Sequence, residues 1–90
     1  MLEYTVQIVN PLGLHARAAA KLVRLAGDYQ SSITITRPSS GKTADARSIL
    51  SILELGAKHG SLVVVRADGE DSRSAIEAMT DLFESGFGES

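Results

Sequence analysis

The chain has 90 residues, of which 43% are hydrophobic and 22% charged, and nine Lys and Arg against eleven Asp and Glu give a formal net charge of −2. This length and composition predict a single small domain over residues 1–90 and exclude a disordered, collagen-like or coiled-coil chain. Because the chain contains no cysteine, disulfides and thiol chemistry are excluded. The charge balance argues against a dedicated nucleic-acid-binding protein. The first residues lack a signal-peptide pattern and no apolar run approaches the ~20 residues that cross a bilayer, so we expect a cytoplasmic protein without membrane insertion.

The first third of the chain predicts a strand, a loop and a helix. Residues 2–9 alternate with period two, which is typical of a half-buried strand, and one face carries Leu2, Tyr4, Val6 and Ile8. Pro11 and Gly13 break this strand. A helix is predicted over residues 16–27, with Gly27 as its stop and with an apolar stripe formed by Ala19, Leu22, Val23 and Ala26.

The remaining elements follow one another closely. Further strands are predicted over residues 32–37, 42–46 and 61–67, and further helices over residues 48–55, closed by Gly56, and 71–85. The continuous apolar run of the fourth strand indicates a central position in the sheet. The last helix has one apolar face, which is formed by Ala75, Ile76, Met79, Leu82 and Phe83. The final residues, 86–90, are expected to fray.

The predicted order of elements is βαββαβα. Four short strands with apolar faces need a cover, and the two longer amphipathic helices can supply it from one side. The sequence therefore predicts an open-faced α/β sandwich, in which the helices lie on one face of a single sheet.

One candidate functional residue is His15, which lies where the loop after the first strand meets the first helix. Unpaired amides and the positive end of the helix dipole disfavour the imidazolium, so we expect a neutral, nucleophilic ring near pH 7. The same amides would bind a phosphoryl group on the ring, and Arg17 is near enough to add a charge-assisted contact. The alternative is that His15 only caps the helix and that Arg17 is a solvated charge.

A second candidate is Ser48, which opens the short helix predicted over residues 48–55. Serine is a preferred N-cap residue, and a capping role is the simpler interpretation. Regulation by phosphorylation is the alternative, because a phosphate is electrostatically tolerated at a helix N-terminus.

The short helix itself has almost no polar face. If Ile52 and Leu55 enter the core, Leu50 and Leu53 face outward and Ile49 lies at the border. An exposed apolar patch on a small domain is typical of a docking surface, although loops covering the patch are an equally good explanation.

Other chemistries find little support. His15 and His59 are the only histidines, and no acidic residue recurs at a ligand-like spacing, so neither a metal nor a cofactor is expected. The chain lacks a Gly-rich phosphate loop, which argues against nucleotide binding. It also lacks a paired acid–base constellation, so an independent enzyme is not expected.

Two motifs lie far apart in the chain: Gly13-Leu14-His15-Ala16-Arg17, and Arg47-Ser48-Ile49-Leu50 running on to Leu55-Gly56. With these motifs, its strand order and its length, the chain resembles HPr, the histidine-containing phosphocarrier family of the bacterial phosphoenolpyruvate-dependent sugar phosphotransferase system. The resemblance covers essentially the whole chain, and the two motifs at the family's separation are more specific than either alone. It implies the HPr-like α+β fold, with a four-stranded antiparallel sheet and helices on one face.

The resemblance also implies a mechanism. Enzyme I would pass a phosphoryl group to Nδ1 of His15, which would hand it to an enzyme II A component while Arg17 steadies the phosphoryl oxygens. Ser48 matches the family's regulatory serine, which an HPr kinase/phosphorylase modifies in many bacteria. A monomer is expected, and its partner-binding face is implied at Ala20, Arg24, Ile49, Leu50 and Leu53.

One departure from the family pattern is Ala18, since a proline usually follows the active-site arginine. Alanine is a good helix former, so we expect the helix and phosphoryl transfer to be retained, although the helix start could shift. Two other functions stay open: a regulatory paralogue in a nitrogen-type or incomplete phosphotransferase chain, and an interaction module in which His15 is chemically silent.

Overall fold

The computed structural model describes residues 1–89. Within this range the four strands are β1 (Leu2–Gln7), β2 (Ser32–Arg37), β3 (Lys42–Asp45) and β4 (Leu62–Asp68). The three helices are α1 (Ala16–Ala26), α2 (Ile49–Glu54) and α3 (Ser72–Glu84), and a short 3-10 helix follows over Gly86–Gly88. None of the helices in this range combines the length and the apolar character that crossing a membrane requires.

The sheet is antiparallel throughout, in the order β1-β4-β2-β3. β4 has a strand on each side, which confirms the central position that its apolar run predicts. Val6 lies opposite Val63, and Ile35 lies opposite Val65. The β-branched side chains of three strands therefore line up on one buried face of the sheet.

The helices pack on that one face. α3 contacts β1 and β4, and α1 contacts both α2 and α3. The core between the two layers includes five large side chains without exposed surface: Leu22, Ile35, Ile52, Met79 and Phe83. The structure thus confirms the predicted open-faced sandwich, an α+β fold with one helical layer on an antiparallel sheet.

The first strand differs most from the prediction. β1 ends at Gln7, two residues early, whereas the other strand and helix ends lie within one residue of their predicted positions. Tyr4 was expected on the core face but is 49% exposed. Because β1 is an edge strand, one side of this large ring has no neighbouring strand to cover it. Val23 and Leu82, expected in the core, are only partly buried at its margin.

Two helices end in different ways. Gly56 closes α2 as predicted, with the left-handed φ of +62° that glycine adopts easily. Gly27 follows α1 with a right-handed φ of −65°, so this helix stops without a left-handed glycine. Instead, the guanidinium of Arg47 donates to the carbonyl of Ala26 at 3.2 Å and also to that of Tyr29. The Ala26 carbonyl also accepts the Tyr29 N–H at 3.2 Å, so Arg47 adds a second donor there and ties the end of α1 to the segment before α2.

The prediction that the last residues fray is wrong for residues 86–89. Phe87 is 1% exposed, and its backbone carbonyl accepts a hydrogen bond from Lys21 Nζ. The backbone N–H of Glu89 donates to the Gly86 carbonyl at 3.0 Å. A terminal segment stays ordered when a buried side chain ties it down, and Phe87 does so here. Ser90, the last residue of that prediction, lies outside the described residues.

Candidate functional site

His15 is the N-cap residue of α1. Its backbone is extended, with φ −82° and ψ −179°, and α1 begins at the next residue. The ring atom Nδ1 accepts a hydrogen bond from the backbone N–H of Arg17 at 3.3 Å. The side chain is 25% exposed, so the ring is half-buried yet reachable from solvent. The helix starts at Ala16 as predicted, with Ala18 where the resemblance implies a proline.

The loop that carries His15 is pinned to the segment before β4. The Leu14 N–H donates to the Ala57 carbonyl at 3.0 Å, and the Leu14 side chain is buried. Gly13 has a left-handed φ of +66°, and a Cβ there would lie 2.8 Å from the Ala57 carbonyl oxygen and 2.9 Å from the Lys58 Cα. Only glycine fits this close approach, and the approach sets where the imidazole lies.

A surface cleft surrounds the ring. It is lined by Pro11, Leu12, His15, Arg17 and Glu89. The structure therefore brings together the two residues that sequence reasoning paired, His15 and Arg17. It adds a third, Glu89, which sequence reasoning missed.

Glu89 contacts the ring nitrogen that Arg17 does not. Its Oε2 atom makes a short contact with Nε2 of His15, and its Oε1 atom accepts a hydrogen bond from Asn10 Nδ2 at 3.2 Å. The same Asn10 amide donates to the Gly13 carbonyl at 2.8 Å. The pKa of Glu89 is lowered, and the hydrogen bond from His15 is the largest cause. The Asn10 amide and the nearby charges of His15 and Lys21 also lower this pKa, whereas burial raises it.

The two ring nitrogens of His15 therefore have different neighbours. The amide end of α1 lies at Nδ1, as the sequence predicts, and the carboxylate of Glu89 lies at Nε2. Local spacing does not reveal Glu89, because it is 74 residues away in the chain. The neutral charge state of His15 stays a prediction.

Ser48 is the N-cap residue of α2. Its hydroxyl oxygen accepts a hydrogen bond from the Ser51 N–H at 3.2 Å, so the residue has the capping role that the sequence predicts. The side chain is half-buried, and α2 extends only six residues beyond it. Regulation by phosphorylation at Ser48 stays a prediction.

The exposed side of α2 is close to the predicted one. Ile52 and Leu55 are buried, while Leu50 is 73% and Ile49 41% exposed. Leu53 was expected to face outward, but it is half-buried and packs against the core. It follows the fully buried Ile52 and so lies at the border between the buried and the exposed side of α2.

The neighbouring helix α1 carries the other two residues of the implied partner-binding face. Arg24 is exposed and Ala20 is half-buried. Because α1 and α2 are in contact, the helices that carry these five positions are adjacent. The remaining histidine, His59, is exposed in the turn before β4 and is not among the residues that line the cleft. Among residues 1–89, no group of three or more His, Asp or Glu side chains is placed to hold a metal.

Comparison with known proteins identifies the class. The family model of the PTS HPr component phosphorylation site matches residues 2–85. Phosphocarrier protein HPr of Xylella fastidiosa is 43% identical over 89 residues, which is 99% of this chain and 98% of that protein. Phosphocarrier protein NPr of Proteus mirabilis is 44% identical over 90 residues, covering 99% of each chain.

Solved structures agree. The crystal structure of HPr-C-His from Thermoanaerobacter tengcongensis has a TM-score of 0.93 and 42% sequence identity, and the match covers 100% of this chain and 99% of that one. Phosphocarrier protein HPr from Bacillus anthracis has a TM-score of 0.85 at 33% identity, over 91% of this chain and 95% of that one. Fold and sequence together define a phosphocarrier protein, which carries a phosphoryl group rather than catalysing a reaction of its own. The chain belongs to the HPr family.

Proposed function

We propose that His15 accepts a phosphoryl group on Nδ1 from enzyme I and passes it to an enzyme II A component. The observation that carries this proposal is the pair of contacts on the two ring nitrogens. Nδ1 faces a donor, the Arg17 N–H, whereas Nε2 faces an acceptor, the carboxylate of Glu89. A neutral ring satisfies both contacts only when its proton is on Nε2 and its lone pair is on Nδ1. Nδ1 is then the nucleophile.

A phosphoryl group on Nδ1 would be held by the first amides of α1 and by the exposed Arg17 guanidinium, which lines the same cleft. A surface cleft with few donors suits a carrier, because the group has to leave again when the next partner docks. The same contacts argue against the interaction module in which His15 is chemically silent.

The partner-binding face proposed for these exchanges comprises Ala20, Arg24, Ile49, Leu50 and Leu53. Its support is the exposure of Leu50 and Ile49 on α2, next to the exposed Arg24 on the adjoining helix. Small apolar patches of this kind suit transient association, which successive transfers require.

Regulation at Ser48 forms part of the same proposal. Phosphorylation by an HPr kinase/phosphorylase would add about −1.5 to −2 charges to the residue that precedes Ile49 and Leu50. This charge would weaken association with acidic partner surfaces. A phosphate at a helix N-terminus is itself tolerated, so the fold would survive the modification.

A second candidate function is a regulatory carrier in a nitrogen-type or incomplete phosphotransferase chain. The 44% identity to phosphocarrier protein NPr of Proteus mirabilis supports this regulatory function. The similar identity to HPr proteins supports the role in sugar uptake. For either function we propose that residues 1–90 act as one domain in the cytoplasm, as a monomer. A solved HPr dimer from Thermoanaerobacter tengcongensis, 43% identical, is the reason to measure the oligomeric state.

The test of the carrier role is transfer from phosphoenolpyruvate labelled with ³²P, in the presence of enzyme I. Wild-type protein is expected to gain acid-labile, base-stable label, and His15→Ala is expected to gain none. His59→Ala removes the other, exposed histidine and serves as the matched control, which should label like wild type. Label on His15→Ala would overturn the proposal. Onward transfer to enzyme II A proteins from the sugar and nitrogen branches then separates the two candidate functions.

A further inference from the structure

We infer that Glu89 is a positioning residue for phosphoryl transfer, because its carboxylate holds the ring proton of His15 on Nε2 and thereby leaves the Nδ1 lone pair free to attack. This inference deepens the proposed function and rests on His15 being the phosphoryl acceptor. Three observations support it: the contact with the ring, the support of the carboxylate, and the anchoring of the segment that carries it.

The carboxylate contacts only one of the two ring nitrogens. Glu89 Oε2 meets Nε2 of His15, and the Glu89 side chain is 16% exposed, so little water competes for this contact. A carboxylate has no proton to donate near neutral pH, so it requires the proton on Nε2. In this tautomer, Nδ1 accepts the N–H of Arg17, as observed.

The carboxylate is also fixed relative to the loop that carries His15. The buried Asn10 side chain donates to Glu89 Oε1 at 3.2 Å and to the Gly13 carbonyl at 2.8 Å. A single amide group thus joins the acid to the loop two residues before the histidine. This arrangement parallels the buried aspartate of serine proteases, which orients the catalytic imidazole and stabilises its charged form.

The segment that carries Glu89 is anchored by contacts that do not involve the carboxylate. The Phe87 ring is buried against Phe83, with centroids 5.2 Å apart, and Lys21 Nζ donates to the Phe87 carbonyl. The backbone N–H of Glu89 donates to the Gly86 carbonyl at 3.0 Å. The acid therefore occupies a position that the fold imposes.

The chemical benefit follows from the electron balance of the transfer. The Nδ1 lone pair attacks phosphorus, the bond from phosphorus to the donor atom breaks, and its electron pair stays on the donor. The ring gains one positive charge, and Nε2 keeps its proton next to the Glu89 carboxylate. In onward transfer the pair of the Nδ1–P bond returns to Nδ1, and the ring leaves as neutral imidazole. Loss of the Nε2 proton would instead make the leaving group an imidazolate anion, which is far less stable.

The experiment compares Glu89→Gln and Glu89→Ala with Glu70→Gln, which removes the same charge from an exposed residue in the turn between β4 and α3. One readout is the ¹⁵N chemical shifts of the His15 ring, recorded without phosphoryl donor, above the pH range in which free histidine is protonated. Wild type and Glu70→Gln are expected to hold the Nε2–H tautomer. Glu89→Ala is expected to show a mixture of both tautomers.

The second readout is the rate of phosphoryl transfer from enzyme I, with kcat and KM measured separately. We expect kcat to fall about tenfold to a hundredfold in Glu89→Gln, by analogy with the loss of a carboxylate that orients a metal-binding histidine, while KM changes little. An unchanged tautomer in Glu89→Ala, or an unchanged kcat in Glu89→Gln, overturns the inference. The ring tautomer is measured without phosphorylation. The effect of Glu89 on the tautomer can therefore be observed even if labelling of His15→Ala shows that His15 is not the acceptor.

Discussion

The ring of Phe87 packs edge-on against Phe83, with centroids 5.2 Å apart and an interplanar angle of 68°. Both rings are buried, although Phe87 lies in the segment that the sequence predicts to be frayed. Its backbone has a positive φ of 58°, which disfavours any residue other than glycine. Burial of the aromatic ring compensates for this strained conformation and holds the end of the chain on the core.

Removing this ring is expected to release the segment. Phe87→Ala should lower the free energy of unfolding by about 3 kcal/mol, because large-to-small changes in a core lose burial and leave a cavity. Urea denaturation followed by circular dichroism measures this change. Leu62→Ala, at a residue that is 55% exposed, is the control and should change stability little. Equal stabilities of Phe87→Ala and wild type would contradict the observed packing.

A methyl group at Gly13 is expected to disturb both the fold and the site. Its Cβ would lie 2.8 Å from the Ala57 carbonyl oxygen, at a backbone φ of +66°. We expect Gly13→Ala to cost about 1–3 kcal/mol from this crowding, in addition to about 1–2 kcal/mol from the left-handed backbone, and to slow phosphoryl transfer by displacing His15.

The matched control for that change is Gly41→Ala. Gly41 has a φ of +73°, but a Cβ there has nothing within 4 Å. This variant isolates the backbone strain, so denaturation midpoints should place it between wild type and Gly13→Ala. A Gly13→Ala protein as stable as Gly41→Ala would contradict the crowding.

Asp71 is expected to make the free energy of unfolding depend on pH in the acidic range. Its carboxylate accepts hydrogen bonds from the backbone N–H groups of Gln30 at 2.8 Å and Ser31 at 2.9 Å, and from the Ser31 hydroxyl. These bonds, the Ser31 hydroxyl first among them, hold the pKa of Asp71 below its ordinary value, while burial raises it.

The sign of this effect follows from the lowered pKa. The carboxylate contributes its full stabilisation above the unfolded-state pKa of about 3.9, and the contribution disappears as the pH falls through the lower folded-state pKa. Asp71→Asn should therefore be less stable than wild type at neutral pH and should lose less stability on acidification. Asp81→Asn, at an exposed residue of α3, is the control. Identical acid profiles for wild type and Asp71→Asn would show that these bonds do not stabilise the fold.

Substitutions at Ser48 are expected to separate capping from regulation. Ser48→Ala removes the acceptor for the Ser51 N–H and should cost about 1 kcal/mol, measured by thermal unfolding. Ser48→Asp keeps an N-cap acceptor, so its stability should stay near that of wild type. Calorimetric titration with enzyme I should nevertheless show weaker binding by Ser48→Asp, because its added charge precedes Ile49 and Leu50. Binding of Ser48→Asp as tight as wild type would remove the support for regulation at this site.

Sequence periodicity predicts the elements of this fold because strands and helices bury one face each, and that burial leaves a pattern of local spacing. The pairing of His15 with Arg17 could also be predicted, because the two residues are only two positions apart at a helix start. Glu89 leaves no such pattern: its contact with His15 spans 74 residues and depends on where Phe87 anchors the tail. An aromatic residue between two glycines, in a tail otherwise polar, was the one available sign that this segment is held in place.

Long-range contacts explain the other differences as well. The guanidinium of Arg47 caps α1 across 21 residues, which local propensities cannot reveal. Tyr4 fits the alternating pattern of β1, but how far its side chain is buried depends on which strand lies at the edge of the sheet. Spacing identifies the face of a side chain, whereas the order of the strands decides how much of that face is covered.

The placement of the chain ends has a practical consequence for handling the protein. The amino group of Met1 lies 3.8 Å from the Asp68 carboxylate, at the opposite end of the sheet from the cleft, whereas Glu89 lines the cleft itself. A fluorophore or surface tether attached at Glu89 would crowd the imidazole, while the same group attached at Met1 would leave it accessible. Quantitative assays should therefore use amino-terminal attachments.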